Sequence, residues 1–397
     1  MDAPETAPAE KEKKRKPWKQ APDKTSTAYR FRIYPTESQK HQMARTFGCK
    51  RYVYNHLLDI RQNEWKANRH GITYKESSRI LTDMKHRKET DWLNRVDSMA
   101  LQESLRDLDR AFKNFFKKLA RYPRKKSKKS FAQSYRTRNQ TGNIRIVGKE
   151  IWLPKLGAVK IKQHRTFSGR ILHATVVRTA DDKYFVSLCV EMDKSAYFQD
   201  LKNTKKIGID VGLKSFYADS EGNVIENPKI FDKLHKRLKK EQQKLARTNR
   251  KSANHRKQRI KVARAYARIC NKRNDFLHKQ TYYLATHYGI VAVEHLRIKG
   301  MLKNSKLSKA ISTVAWGEFF RQLEYKMPKY GGRLLRVETT YPSSQTCHVC
   351  GYKNPLVKDL NVREWVCPKC HAHHDRDFNA AKNILSHALE IDARASS

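Results

Sequence analysis

Acidic residues are scarce in this chain: 39 Asp and Glu stand against 85 Lys and Arg, leaving a formal net charge of +46. Repulsion on that scale excludes a protein that works far from any polyanion, and nucleic acid is the expected partner. Long apolar runs are missing too. None approaches the roughly 20 residues that span a bilayer and no signal-peptide core opens the chain, so the expected place is intracellular, in the cytoplasm beside the nucleoid. Cysteine is sparse, with seven in 397 residues. Cys49, Cys189 and Cys270 are scattered and odd in number, which excludes a secreted disulfide scaffold and predicts buried, reduced thiols.

The other four cysteines are concentrated in one place. Cys347/Cys350 and Cys367/Cys370 form C-x-x-C, a sixteen-residue gap and C-x-x-C. Each pair offers two thiolates from one tight knuckle, and two knuckles close a tetrahedral shell around Zn²⁺ with no position left for a catalytic water. The predicted zinc is therefore structural, and it supplies folding free energy to a segment too small to pack a core. Seven residues after the last cysteine stands Asp377, within Asp375-Arg376-Asp377-Phe378-Asn379-Ala380-Ala381.

Upstream, residues 1–26 are rich in Lys, Glu, Ala and Pro and read as a disordered basic arm. Tyr29 to Tyr34 alternates apolar and basic residues as a half-buried strand does and stops at Pro35. Thr36 to Gln39 is a capping box that opens a helix. A second helix and a third, from about Ser98 to Ala120 with Leu101, Leu105, Leu108, Phe112, Phe115 and Leu119 on one stripe, complete a helical unit. From Ile144 to Val190 the period falls to two, which predicts a β-barrel or sandwich. The strand at Tyr29 belongs with it, so the helices read as an insertion.

After Lys205 the pattern changes to α/β. Ile207-Gly208-Ile209-Asp210-Val211-Gly212 is an apolar strand with one carboxylate, costly to bury unless it is bound or bonded, and its glycines allow close approach. Two long basic helices fill residues 230–288. Ile290-Val291-Ala292-Val293-Glu294 repeats the device, a buried strand ending in an acid. Asp210, Glu294 and Asp377 thus stand at strand ends or a helix start. Three such carboxylates are what two Mg²⁺ ions need to clamp the attacking and leaving oxygens of a phosphodiester displacement.

Together, Gly208 to Gly212, Val293-Glu294-His295-Leu296, the paired C-x-x-C knuckles and Asp375 to Ile384 resemble the three RuvC motifs and embedded zinc cluster of TnpB. These are insertion-sequence proteins related to type V CRISPR effector nucleases. Upstream, Tyr52-Val53-Tyr54-Asn55, Ala100-Leu101-Gln102, Pro154-Lys155-Leu156-Gly157, Trp316-Gly317-Glu318-Phe319 and Pro342-Ser343-Ser344-Gln345 also resemble that family. His371-Ala372-His373-His374 departs from its usual Gly-rich turn.

The resemblance implies an α+β multidomain protein. A wedge β-barrel (27–45 and 122–203) carries an inserted helical recognition bundle (46–121), and an RNase H-like RuvC nuclease domain (204–340 and 371–397) carries a zinc finger (341–370). It implies catalytic roles for Asp210, Glu294 and Asp377, with Asp375 as competitor for the third. It implies structural Zn²⁺, catalytic Mg²⁺, a transposon-end guide RNA, and cleavage of double-stranded DNA beside a short transposon-adjacent motif. Duplex reading falls to the bundle and the strands after it, where Tyr74, Ser78, Gln102 and Arg136 are the expected contacts. A cleavage-deficient RNA-guided regulator and a guide-free RuvC-like resolvase remain the alternatives.

Overall fold

The computed structural model describes residues 23–129, 132–228 and 230–396. Strand β1 (Lys24–Tyr34) buries Phe31 and Ile33 and turns Arg30 outward. It begins at Lys24 rather than Tyr29, because Lys24 to Ala28 continue the ladder against Asp193 to Cys189 of β7 (Tyr184–Asp193), and the Lys24 ammonium also pairs with the Asp193 carboxylate. Residues 24–26, expected in the basic arm, therefore belong to the sheet, and positions 1–22 of that arm lie outside the described residues.

The other edge of β1 pairs with β5 (Gly157–Lys162). With β2 (Gln133–Arg138), β3 (Arg145–Val147), β4 (Glu150–Leu153) and β6 (Arg170–Arg178), these make one seven-stranded antiparallel sheet in the order β2-β6-β7-β1-β5-β4-β3. The expected barrel is a half-barrel. Among the described residues no ladder joins β2 to β3, and one side chain ties the connection after β2. Asn139 Nδ2 donates to the carbonyls of Ile144 (3.1 Å) and Ile171 (2.9 Å), while its Oδ1 accepts from the Ile144 amide (3.0 Å). The curled face still closes on one core, with Phe31, Ile33, Tyr135, Ile151, Val159 and Val186 all buried.

The helices between β1 and β2 are α1 (Glu37–Asn68), α2 (Tyr74–His86) and α3 (Ser98–Phe116), with a 3₁₀ segment at Lys88–Arg95. Thr36 and Gln39 form the expected reciprocal cap, and Thr73 with Glu76 forms a second at α2. Met43 and Phe47 of α1 pack into the sheet, whereas Cys49, Val53, Leu57 and Leu58 pack with Leu101, Leu105 and Leu108. The unit boundary therefore falls inside one continuous helix, near residue 48 rather than 45. Leu119 is not on the buried stripe: Lys118 takes a left-handed φ of 57°, the helix has ended, and Leu119 is 75% exposed.

A short helix α4 (Lys194–Tyr197) leads to the second sheet, built of β8 (Lys206–Val211), β9 (Ser215–Asp219), β10 (Val224–Glu226), β11 (Ile290–Glu294) and β12 (Arg333–Val337). Its order is β10-β9-β8-β11-β12, with β8, β11 and β12 mutually parallel and the β8–β9–β10 meander antiparallel. This is the RNase H-like arrangement. The long helices α5 (Ile230–Ala246) and α6 (Ala253–His287) enter between β10 and β11. Three further helices, α7 (Ile298–Met301), α8 (Ser308–Val314) and α9 (Trp316–Lys329), precede β12. One face of the sheet packs Ile207, Ile209, Val291 and Val293 against Leu277, Leu284 and Phe319.

The opposite face is covered by α10 (Arg376–Ser396). It starts at Arg376 because Asp375 caps it, accepting from the Phe378 amide at 2.9 Å. Close approach is possible because β8 has a glycine where α10 crosses: a Cβ at Gly208 would stand 2.1 Å from the Ala381 carbonyl oxygen and 2.8 Å from Leu385 Cβ. Gly208→Ala is expected to destabilise the fold by about 3 kcal/mol, the upper end for overpacking against rigid backbone. Urea midpoints of the two proteins check this, and an unchanged midpoint would contradict the packing argument.

Candidate active site and zinc cluster

Three elements deliver the three acids. The β8–β11 register pairs Ile209 with Val293, so Asp210 and Glu294 are the next residues on adjacent parallel strands. Asp377 comes from the first turn of α10, which the Gly208 contact holds against β8. Asp375 is occupied as the helix cap, which separates the two competing aspartates by role. Asp210 feels the arrangement most. Burial raises its pKa, the Asp377 and Glu294 charges raise it further, Arg376 opposes them, and the carboxyl is pushed up to about 8. Burial also raises Glu294. Asp377 Oδ1 lies 3.5 Å from Arg363 Nη1.

Oxygen-only donors massed against their own repulsion suit a hard divalent cation such as Mg²⁺. The Cys₄ group is the one set of three or more Cys, His, Asp or Glu donors among the described residues whose atoms all lie within 4.8 Å. The oxygens of Asp210, Glu294 and Asp377 do not form a second such set. Glu294 and His295 also line a small cleft of about 160 Å³ with Arg321, Glu324 and Arg336.

The four cysteines fit zinc by geometry. Sγ of Cys347 lies 3.6 Å from that of Cys370, and Cys350 from Cys367 by the same 3.6 Å. A ZnS₄ tetrahedron with ~2.3 Å bonds has edges of about 3.8 Å. The two knuckles repeat each other: Gly351 N–H donates to Cys347 O and His371 N–H to Cys367 O, each at 2.9 Å. Gly351 and His371 both take left-handed φ, 74° and 60°. His371 therefore performs the glycine's turn in the departing His-Ala-His-His segment. Burial disfavours the Cys367 thiolate, yet amides of Cys370 and Lys369 hold it down at about 6.

Strand β13 (Glu364–Val366) pairs with β14 (His373–Asp375), so the zinc unit extends beyond residue 370, to Asp375. Buried His374 closes it, with Nε2 3.0 Å from Cys347 Sγ and its ring against Trp365.

Sequence reasoning missed how this unit is fastened to the acids. Asn379 and Asn383, one turn apart on α10 and both buried, donate to carbonyls of the first knuckle: Asn379 to Thr346 at 2.7 Å and Asn383 to Ser343 at 2.8 Å. Asn379 Oδ1 accepts from the His348 amide at 3.0 Å. Arg376, also buried, donates to the Asp359 carbonyl. The available signal was an asparagine pair at helical spacing among Ala380, Ala381 and Ile384.

Of the four expected duplex contacts, Tyr74 on α2 and Arg136 on β2 are joined through Arg106 and Glu103 of α3. The Arg106 guanidinium lies over the Tyr74 ring at 5.1 Å, and its Nε is 3.3 Å from Glu103 Oε1. Glu103, buried, also holds Arg138 at 2.6 Å and Arg136 at 3.9 Å. Tyr74 and Arg136 are thereby linked, and half-buried Gln102 precedes Glu103 on α3. Ser78 follows Tyr74 by one turn of α2, also half-buried.

With this geometry in view, three family models match: "Probable transposase" over residues 187–305, a Cas12f1-like TNB domain over 316–384, and a helix-turn-helix domain over 25–70. A Streptomyces pristinaespiralis protein provisionally assigned as an RNA-guided DNA endonuclease is 39% identical, covering 92% of this chain and 90% of its own. The chain belongs to the TnpB family. InsQ of Escherichia coli K12, with the same provisional assignment, is 32% identical over 90% of this chain and 91% of its own. A solved Cas12f1–sgRNA–target DNA complex shares the TnpB chain's fold at TM-score 0.52 and 14% identity, covering 91% of this chain and 99% of that one. The stretch matched as helix-turn-helix is here strand β1 and the single helix α1.

The pKa of Asp210 sets a pH dependence. Its carboxyl titrates near 4 in an unfolded chain and near 8 in the fold, so the folded state keeps a proton that the unfolded state releases, and metal-free stability falls as pH rises across that interval. Asp210→Asn is expected to raise the urea midpoint in EDTA at pH 8 and to leave it nearly unchanged at pH 4. Parallel pH profiles for the two proteins would contradict this. Cys367→Ser is expected to lower bound zinc and, through the Asn379 and Asn383 bonds, to increase amide exchange in the first turns of α10. Zinc analysis and hydrogen exchange read both, and a zinc-free protein with an unchanged α10 would refute the coupling.

Proposed function

We propose that this protein is an RNA-guided DNA endonuclease that cuts double-stranded DNA beside a short transposon-adjacent motif. The observation that carries the reading is the meeting of Asp210, Glu294 and Asp377 at one end of the second sheet, where burial first, and then the charges of Asp377 and Glu294, push the Asp210 carboxyl up. Magnesium bound there would supply charge neutralisation at the attacking and leaving oxygens and lower the pKa of an attacking water. Asp210 and Glu294 would hold one side of that site from rigid strands, and Asp377 the other from α10. The RNA-guided part rests on relatives with that provisional assignment that match along nine-tenths of the chain, half-barrel and bundle included. It also rests on the +46 charge, which a large bound RNA would compensate.

The guide-free resolvase reading would leave the half-barrel and bundle unused, and the regulator reading would not require three acids.

The test is purification of the intact protein from a host carrying its own locus, followed by sequencing of the bound RNA and cleavage of DNA matching it. Asp210→Ala or Glu294→Ala is expected to lower cleavage in Mg²⁺ by at least a thousandfold while retaining RNA and matched-DNA binding within about threefold. Cleavage near the parental rate in either variant would overturn the assignment of the acids. A protein that carries no RNA yet cuts branched DNA would establish the resolvase instead.

A further inference from the structure

At the far end of α3 the chain exposes what a soluble protein ordinarily hides. Phe116 is 74% exposed, Leu119 75% and Tyr122 41%. The helix ends on left-handed Lys118, with the Leu119 amide donating to the Asn114 carbonyl at 2.9 Å, a wound C-terminal turn whose trailing apolar residue usually folds back onto the helix. Leu119 does not.

The rings are held rigidly. Phe116 stacks on Phe112 at 6.3 Å and 25°, and Tyr122 stands edge-on to Phe112 (5.7 Å, 89°) and to Phe115 (5.2 Å, 81°). The Arg61 guanidinium lies over Phe112 at 5.3 Å. The Phe116 face thus points outward from a braced block, so a flat partner would meet it at little rotamer cost.

Charge decides what the partner is. From Lys117 to Lys129 there are eight Lys and Arg and no acid. Lys117, Lys118 and Arg121 are exposed and, among the described residues, have no ion-pair partner. The loop that follows is anchored: Asn55 Nδ2 donates to the Lys126 carbonyl (3.0 Å), the Lys126 amide donates to Asn55 Oδ1 (2.7 Å), and Lys125 pairs with Asp59 at 2.8 Å. A second copy would bring the same positive tip and be repelled. Two rings and a leucine are too little apolar area to anchor a membrane. A ligand with flat apolar faces and regularly spaced negative charge remains, and paired bases in a duplex hide those faces.

We propose that Phe116, with Leu119 and Tyr122 beside it and Lys117, Lys118 and Arg121 around it, is a stacking platform for an unpaired base of the bound RNA. It is continuous with the basic loop 121–129, which suits RNA backbone, and it deepens the guided-nuclease reading, on which it rests.

The full-length protein, stripped of nucleic acid in high salt, is titrated with a short single-stranded RNA carrying one 2-aminopurine. The parent is expected to quench its fluorescence. Phe116→Ala, a change at an exposed position that leaves the fold intact, is expected to abolish the quench and weaken binding about ten- to hundredfold without altering the salt slope, since no charge is removed. Phe116→Trp is expected to restore both. Unchanged affinity and quench in Phe116→Ala would overturn the platform. So would a dimer in the parent that becomes monomeric in that variant, loss in that variant of co-sedimentation with phosphatidylserine vesicles, or quenching of single-stranded DNA but not RNA. The guided reading fails separately: if no RNA accompanies the protein from its host, that reading falls whatever the fluorescence shows.

Discussion

One close contact organises the nuclease half: the Ala381 carbonyl of α10 against the bare Cα of Gly208 on β8. Because Gly208 lies two residues before Asp210 and Ala381 one turn after Asp377, the crossing that fills the sheet's second face also carries the third acid to the first. Packing and electrostatics oppose each other there. Ala292, Val337, Ile384 and Ala388 are buried along the same interface, while Asp210 is held in an environment that disfavours its charge. Apolar burial offsets the assembly of like charges, a trade of stability for chemistry that functional sites commonly make.

The zinc unit can be understood as an extension of that helix. Asn379 and Asn383 project from α10 into backbone carbonyls just before the first knuckle, and Arg376 into that of Asp359 between the two knuckles. Each is buried and each would leave an orphaned polar group if the metal-bound fold loosened, a cost of about 1–3 kcal/mol apiece. The Asp375-Arg376-Asp377 triplet divides its work among capping the helix, gripping the zinc unit and facing Asp210.

Much of this was legible in the sequence because it is written locally. The Thr36–Gln39 cap, the two knuckles, the apolar strands interrupted by one acid and the insertion of helices between β1 and the remaining sheet all rest on spacing or period within one segment. What escaped notice depends on partners distant in the chain. The Lys24 to Ala28 ladder has no apolar alternation to announce it, since backbone pairing with β7 and the distant Lys24–Asp193 ion pair hold it. The connection leaving β2 is tied by one asparagine to Ile144 and distant Ile171, and Glu103 gathers arginines from α3 and β2 that no local period relates. Leu119 kept the helical period after the backbone had turned away, so period alone placed it in a core it does not join.

The order of the acids along the chain has a further consequence. Asp210 and Glu294 emerge during synthesis well before Asp377, and the β8 face stays uncovered until α10 follows the second knuckle. If these three residues are the cutting set, a nascent or prematurely terminated chain would present the basic half-barrel and bundle complete while its reaction centre was still missing.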